Sequence, residues 1–170
     1  MSREDEIQRL AESIGLDVKK LIPKVYTDAG IVVHIDAVGN IRTLAKTISL
    51  DFEWDGDYIM RLSFNYNSDS TTSDGVYYAN LDGNAIDSND RDADAQGQFQ
   101  ILRVEPKDVA VSSGGNITGT ASGQKYAYNM PFVLTGQTSG TKDLIIEMTN
   151  EGASAETSIW NVTVELQHIF

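Results

Sequence analysis

The hydrophobic residues of this chain follow two different periods, and the change between them predicts a helix followed by strands. In the first part, the apolar positions are three or four residues apart, the spacing of one face of an α-helix. They are Ile7, Leu10, Ile14, Val18, Leu21 and Ile22. Ser2 and Asp5 resemble a capping box before this stripe, and Pro23 ends it. The pattern predicts a helix within residues 1–23, with Gly15 as its weakest point.

From Thr47 onward the period is two, as in strands with one buried face. Apolar and polar side chains alternate over residues 47–54 and again over residues 58–66. The dipeptide Asp55-Gly56 stands between the two runs, and Asp-Gly is a strong signal for a two-residue turn. We therefore expect residues 47–66 to form a β-hairpin.

Further strands are expected after this hairpin, separated by Gly- and Ser-rich turns. They lie at about 75–81, 98–104, 108–112, 125–134, 142–149 and 158–168. In the last of them, Trp160, Val162, Val164 and Leu166 alternate with polar residues and should share one face. Eight or more strands without intervening helices indicate a mainly β protein, an antiparallel β-sandwich preceded by a short α-helix. A jelly roll is the topology we expect, and an immunoglobulin-like sandwich is the alternative.

Residues 24–46 form a segment of intermediate character between the helix and the sandwich. Ile31, Val33 and Ile35 alternate with other side chains, which predicts a short strand near 31–36. A turn at Val38-Gly39-Asn40 favours a short return near 41–46. The sequence is thus divided into a helix over 1–23, a connector with short strands over 24–46, and an acidic β-sandwich over 47–170.

The charge of the chain is concentrated in the sandwich. The 170 residues include 13 Lys and Arg against 25 Asp and Glu, which gives a net charge of −12. Residues 1–46 carry seven basic and seven acidic side chains, so the whole excess lies in residues 47–170. So acidic a domain lacks the basic footprint of a nucleic-acid-binding protein. The absence of cysteine excludes disulfides and cysteine nucleophiles, and we expect neither a membrane span nor a signal peptide.

No catalytic motif stands out, and we expect a protein that is not an enzyme and has no catalytic residues. The two histidines, His34 and His168, have no serine or metal-ligand partner at motif spacing, so both are expected to be structural. Glu53, Asp55 and Asp57 are close in sequence but fall at the expected hairpin turn, where carboxylates shape the turn and stay solvated. GxSxG, Walker and HExxH motifs are all missing.

An acidic loop from Asp82 to Gly97 is the one candidate metal site. Its run Asp90-x-Asp92-x-Asp94 resembles the first half of an EF-hand loop, but Ala95 and Ile101 replace the glycine and the bidentate glutamate. A looser calcium site remains an alternative, with Asp87, Asp90, Asp92 and Asp94 as ligands. We prefer the interpretation of a long solvated loop, and no other cofactor is indicated.

Aromatic residues are the candidates for ligand contacts. Tyr77 and Tyr78 are adjacent in a predicted strand and must point to opposite faces, so one of them should lie on the surface. Aromatic side chains on a sandwich surface can stack on sugar rings. No ligand-binding residue can be assigned from the sequence.

The first twenty residues resemble the N-terminal helices of virion proteins from tailed bacteriophages. The resemblance rests on Ile14-Gly15-Leu16-Asp17-Val18-Lys19-Lys20-Leu21, which matches an I-G-x-D-[IV]-K-x-L stretch found in fibre, spike and decoration proteins. It implies a homotrimer on the virion surface, either a head decoration or spike or a short tail fibre. The partners implied are further copies of the chain and other virion proteins, with a host-surface glycan as an additional partner.

Two functional hypotheses follow. The first is a non-enzymatic structural protein of a bacteriophage virion, anchored by the apolar stripe Ile7, Leu10, Ile14, Val18 and Leu21. The second is a carbohydrate-binding module or adhesin. The stripe itself allows two interpretations, because an amphipathic helix can pack on the core of its own domain or be buried against another copy or the particle.

Overall fold

A computed structural model of the chain describes residues 3–35, 42–68, 74–86, 100–104, 126–152 and 156–169. These residues form one helix and ten strands. The helix α1 is Arg3–Leu21 and runs unbroken through Gly15. The strands are β1 Lys24–Asp28, β2 Val32–Ile35, β3 Thr43–Phe52, β4 Gly56–Ser68, β5 Gly75–Leu81, β6 Asn84–Ala85, β7 Gln100–Val104, β8 Tyr126–Gln137, β9 Gly140–Asn150 and β10 Glu156–Ile169. The predicted strand at 108–112 lies outside the described residues.

The strands form two antiparallel sheets with jelly-roll connectivity. In the first sheet the order is β1-β10-β4-β8, with β2 also paired to β10. In the second the order is β3-β9-β5-β6, with β7 also paired to β5. The pairs are nested, since β1 and β2 lie against β10, β3 against β9, β4 against β8 and β5 against β7. This nesting is that of one long antiparallel ribbon folded over itself, so the predicted jelly-roll sandwich is confirmed.

The core lies between the sheets and is built by the alternation seen in the sequence. On β3 the side chains of Ile48, Leu50 and Phe52 are buried, and the polar residues between them are exposed. On β4 the buried set is Tyr58, Met60, Leu62 and Phe64. Leu144, Ile146 and Met148 of β9 and Val162, Val164 and Leu166 of β10 also belong to this core, together with side chains of β5, β7 and β8. Each such side chain contributes about 1.5–3 kcal/mol to folding.

The predicted hairpin at Asp55-Gly56 is wrong, although both of its strands exist. β3 pairs with β9 in the second sheet, whereas β4 pairs with β10 and β8 in the first. A strand has only two hydrogen-bonding edges, and both edges of β4 are occupied, so β3 cannot join it. The chain instead crosses from one sheet to the other at Asp55-Gly56, and the apolar faces of β3 and β4 meet across the core.

Within the described residues, a two-residue hairpin turn lies at Asp82-Gly83. Both residues have left-handed backbone angles, with φ of 49° at Asp82 and 81° at Gly83, and they join β5 to β6. Positive φ at both central positions is the requirement of a type I′ turn. Gly56 has φ of 135°, outside that region. The same dipeptide therefore makes a hairpin at one site and a crossing between sheets at the other.

The segment 24–46 contributes strands to both sheets. β1 and β2 each pair with β10, and the strand expected near 41–46 is the beginning of β3, which continues to Phe52. Lys24 of β1 forms ion pairs with Asp51 (2.7 Å) and Glu53 (3.1 Å) at the other sheet. The buried Lys46 of β3 pairs in return with Asp28 of β1 (2.8 Å). These pairs join the edges of the two sheets.

The predicted orientation of Trp160 is wrong, because β10 contains a bulge next to this residue. The register against β4 shifts between Trp160 and Thr163, and Asn161 has φ of 51°. Because the bulge inserts one residue, Trp160 no longer shares a face with Val162, which lies in the core. Ile159 is buried instead, and Trp160 stands on the outer face of the first sheet beside Asn65.

Candidate functional site

The apolar stripe of α1 is exposed in the single chain. Ile7, Leu10, Ile14, Val18 and Leu21 have between 51% and 61% of their surface accessible. None of the five belongs to the hydrophobic core between the sheets. Adjacent turns of the helix thus present a continuous row of aliphatic side chains to solvent. Exposed apolar patches of this kind mark surfaces that bind other macromolecules.

The C-terminal end of α1 is joined to the sandwich at a cluster of aromatic rings. The Nε2 atom of Gln167 donates a hydrogen bond to the Leu21 carbonyl oxygen (3.3 Å). The Lys20 Nζ atom lies 5.9 Å from the centre of the Trp54 ring. Tyr58 accepts a hydrogen bond from the Trp54 N–H (3.0 Å) and donates one to the Trp54 carbonyl (2.6 Å). This network holds the base of the helix against the crossing between β3 and β4.

The two histidines have structural contacts. His168 packs edge-on against Tyr58, with ring centres 5.0 Å apart, and its Nε2 atom lies 3.2 Å from the Asp55 carbonyl oxygen. The Nε2 atom of His34 lies 3.3 Å from the Thr43 hydroxyl. Each histidine therefore links two segments of the sandwich.

Asp55 and Asp57 bind the neighbouring turn between β8 and β9. The Asp55 carboxylate accepts a hydrogen bond from the Ser139 N–H (2.6 Å), and the Asp57 carboxylate accepts one from the Gly136 N–H (2.7 Å). The hydrogen bonds from Ser139 lower the pKa of Asp55 below its usual value. The predicted hairpin turn does not exist at these carboxylates, and their hydrogen bonds instead join the connection between β3 and β4 to the connection between β8 and β9.

Replacing Asp55 with alanine is expected to lower the melting temperature by a few degrees at pH 7. A carboxylate with a depressed pKa stabilises the fold above its ordinary value of 3.8, and that contribution disappears as the pH falls through the folded value. The difference between wild type and variant should therefore shrink below about pH 4. Circular dichroism melts between pH 7 and pH 2.5 test this. A difference independent of pH would show that the charge of Asp55 is irrelevant.

The predicted calcium ligands Asp87, Asp90, Asp92 and Asp94 lie outside the described residues. Within the described ranges, no three histidine, aspartate or glutamate side chains are grouped closely enough to hold a metal ion. No helix in these same ranges combines the length and the apolar character needed to cross a membrane.

The expectation that Tyr77 or Tyr78 lies on the surface is wrong, because both are buried. The Tyr77 hydroxyl donates to the Ser158 carbonyl (2.7 Å) between the sheets. Tyr78 lies on the opposite face of β5, where the Arg42 guanidinium covers its ring at 3.7 Å. The alternation rule holds for both residues, but the second face of β5 is covered by a residue distant in sequence. Trp160, an aromatic residue that does reach an outer face, was not a candidate.

Comparisons with known proteins give similarities of fold. No protein-family model and no curated protein matches the sequence. A chain in the structure of infectious bursal disease virus, Gt strain, is 13% identical over 86% of this chain, with a TM-score of 0.47. A chain of the Gx strain gives 12% over 85%, with a TM-score of 0.43. The present chain spans about a third of the length of these viral chains, 32% and 31%.

The C-terminal CBM6 of LamC from Zobellia galactanivorans is a further neighbour. It is 8% identical, with a TM-score of 0.34, and the match covers 83% of this chain and 98% of that one. All three TM-scores are below 0.5, so the functional proposals below rest on the residues of this chain itself.

Proposed function

We propose that this chain is a non-enzymatic structural protein on the surface of a bacteriophage particle, where it assembles as a homotrimer through α1. The observation that carries the proposal is the exposed stripe of α1 beside a sandwich whose core is complete without it. Leaving five aliphatic side chains in water is unfavourable, and the full burial of each one would stabilise an assembly by about 1.5–3 kcal/mol. Contact between copies, or with the particle, removes this exposure.

The charge distribution supports contact through α1 instead of through the acidic bodies. Residues 1–46 are neutral, and residues 47–170 carry the net charge of −12. Bodies with this charge repel one another, which keeps neighbouring copies apart and soluble. Attraction is therefore expected at the neutral, apolar end of the molecule. The resemblance of residues 14–21 to phage virion proteins supports the placement on a particle.

The fold is compatible with this proposal without deciding it. Jelly rolls occur in viral coat proteins and in lectins, so a structural protein and a sugar-binding protein can share the same sandwich. The location of the exposed apolar residues distinguishes the two functions. Assembly requires the α1 stripe, whereas sugar recognition requires a polar surface with an aromatic side chain.

Light scattering after gel filtration tests the assembly directly. Three copies of the 18.6 kDa chain give about 56 kDa. We expect the trimer to strengthen when salt is raised from about 0.05 M to 0.5 M, because ions screen the repulsion between acidic bodies but leave apolar contacts intact. A trimer that dissociates as salt rises would instead indicate an interface made of ion pairs. A monomer at all salt concentrations would refute self-assembly.

A further inference from the structure

The bulge in β10 gives the first sheet an outward-facing tryptophan. Trp160 precedes Asn161, whose left-handed φ of 51° marks the bulge. A bulge costs a local disruption of hydrogen bonding, and bulges are enriched where a strand must redirect a side chain. Without the bulge, Trp160 would point into the core with Val162. In the structure it pairs with Asn65 on the outer face and remains partly exposed.

Two rows of uncharged side chains surround this tryptophan. Cross-strand neighbours lie about 4.8 Å apart, and the register across β1, β10, β4 and β8 identifies each row. The first row is Trp160, Asn65 and Ala127, and the second is Thr27, Thr163, Ser63 and Asn129. We refer to these seven residues as the Trp160 face. All seven are neutral, although residues 47–170, which contain six of the seven, carry the net charge of −12.

We propose that the Trp160 face binds a neutral glycan. An aromatic ring offers an apolar surface to the C–H groups of a sugar, and the polar tip of the indole can hydrogen-bond to a hydroxyl group. The amides of Asn65 and Asn129 each supply two donors and one acceptor oxygen, and the hydroxyls of Thr163 and Ser63 both donate and accept. Sugar hydroxyls need such mixed partners.

The charge distribution around the Trp160 face favours neutral sugars over anionic ligands. In the next row toward α1, Glu165 lies opposite Arg61 in the strand register, so the cation of that row has an anion as its cross-strand neighbour, and the Trp160 face itself contributes no cation. Phosphate, sulfate and sialic acid need cationic partners and would meet the repulsion of the acidic sandwich. A largely apolar protein partner would lose affinity by leaving asparagine amides without hydrogen bonds.

The position of this face suits a receptor contact, but its binding chemistry does not depend on the assembly proposed above. The base of α1 contacts Gln167, and Trp160 is seven residues away along β10, about 23 Å at 3.3 Å per residue. A glycan bound there would not compete with contacts made by the α1 stripe. The two proposals can therefore fail separately.

The proposal is tested with a panel of immobilised neutral oligosaccharides that contain glucose, galactose, mannose and N-acetylglucosamine. Sialylated and sulfated glycans are included in the same panel. We expect the 170-residue chain to bind at least one neutral glycan and no charged one. The affinity is then measured by calorimetry. Binding of none of the neutral glycans, or binding of the charged ones instead, would overturn the assignment.

Variants locate the site. Trp160→Leu, which keeps an apolar side chain but removes the aromatic ring, should weaken binding by roughly tenfold or more. Asn65→Ala should also weaken it, whereas Trp54→Phe, a change to the other tryptophan at the base of α1, should not. Melting temperatures show whether each variant is folded. Undiminished affinity in folded Trp160→Leu would place the glycan elsewhere, and an unfolded Trp160→Leu would leave Asn65→Ala to decide.

Discussion

Replacing Ile14 with aspartate is expected to convert the proposed trimer into monomers. Ile14 lies at the centre of the α1 stripe, with 55% of its surface exposed in the single chain. Its burial in each copy contributes about 1.5–3 kcal/mol, and a buried unpaired carboxylate costs several kcal/mol more. Summed over three copies, the proposed trimer should lose at least about 10 kcal/mol, which is seven or more orders of magnitude in its association constant.

Leu16→Asp is the matched control for this change. Leu16 is also an exposed aliphatic residue of α1, but two residues along a helix correspond to a rotation of about 200°, so it lies away from the stripe. The substitution adds the same charge to the same helix and should leave the trimer intact. Light scattering gives the mass of each variant, and co-sedimentation with phage particles gives its attachment. A trimeric, particle-bound Ile14→Asp would remove the stripe from the assembly.

The body should remain folded in Ile14→Asp, because α1 contributes nothing to the core between the sheets. Near-ultraviolet circular dichroism reports on the packing of Trp54, Tyr58 and the other aromatic residues of the sandwich. An unchanged spectrum in the monomer would separate loss of assembly from loss of folding. A collapse of the spectrum would show that the sandwich folds only when α1 is covered.

Most of the strands were predictable from the sequence, because their signal is local, but the short strands β1 and β6 were not predicted. A strand with one buried face requires alternating side chains, and β3, β4, β9 and β10 show that alternation. The apolar stripe of α1 was also identified from spacing, but spacing did not decide whether that stripe is buried or exposed. Burial patterns of this kind depend only on neighbours within a few residues, so the sequence carries them directly.

Pairing between strands was less predictable, because it is decided by residues distant in sequence. Asp55-Gly56 and Asp82-Gly83 are the same dipeptide, yet only the second joins paired strands. What differs at the first site is that β10 and β8 occupy both edges of β4. Competition between strands for a hydrogen-bonding edge involves residues far apart in sequence, so a pattern over ten consecutive residues cannot predict it.

The Trp160 face was missed for a related reason. The alternation of Trp160 with Val162 predicts a shared face, and one inserted residue reverses that prediction. Asn161 was the available signal, since asparagine tolerates left-handed angles better than most residues do. An isolated asparagine in a strand does not reveal by itself whether the strand bulges there.

Replacing Gly56 with alanine is expected to be the most destabilising single change at the crossing between the sheets. Gly56 has φ of 135°, a conformation that side-chain-bearing residues rarely adopt, and it pairs with Gln137 of β8. A Cβ atom there would lie 2.8 Å from the His168 Nε2 atom. Backbone strain of about 1–3 kcal/mol and steric overlap of about 1–3 kcal/mol add at this site.

Gly56→Ala is expected to be strongly destabilising because the His168 ring has little room to move away from the new Cβ atom. Tyr58 packs against it at 5.0 Å and Trp54 at 5.9 Å between ring centres, and its Nε2 atom contacts the Asp55 carbonyl. Relieving the clash would displace this cluster and, with it, the base of α1. For a chain of this length, a loss of about 4 kcal/mol lowers the melting temperature by roughly 8–16 °C.

Gly136→Ala is the control that measures backbone strain without the steric overlap expected at Gly56. Gly136 also has a positive φ, 60°, but a Cβ atom built on it meets no atom within 4 Å. Its substitution should therefore cost only the strain, about 1 kcal/mol, since the left-handed region is less unfavourable than the conformation of Gly56. Thermal unfolding of the two variants, followed by circular dichroism, should show a drop for Gly56→Ala at least twice that for Gly136→Ala. Equal drops would mean that His168 yields freely and that the aromatic cluster does not fix the crossing between β3 and β4.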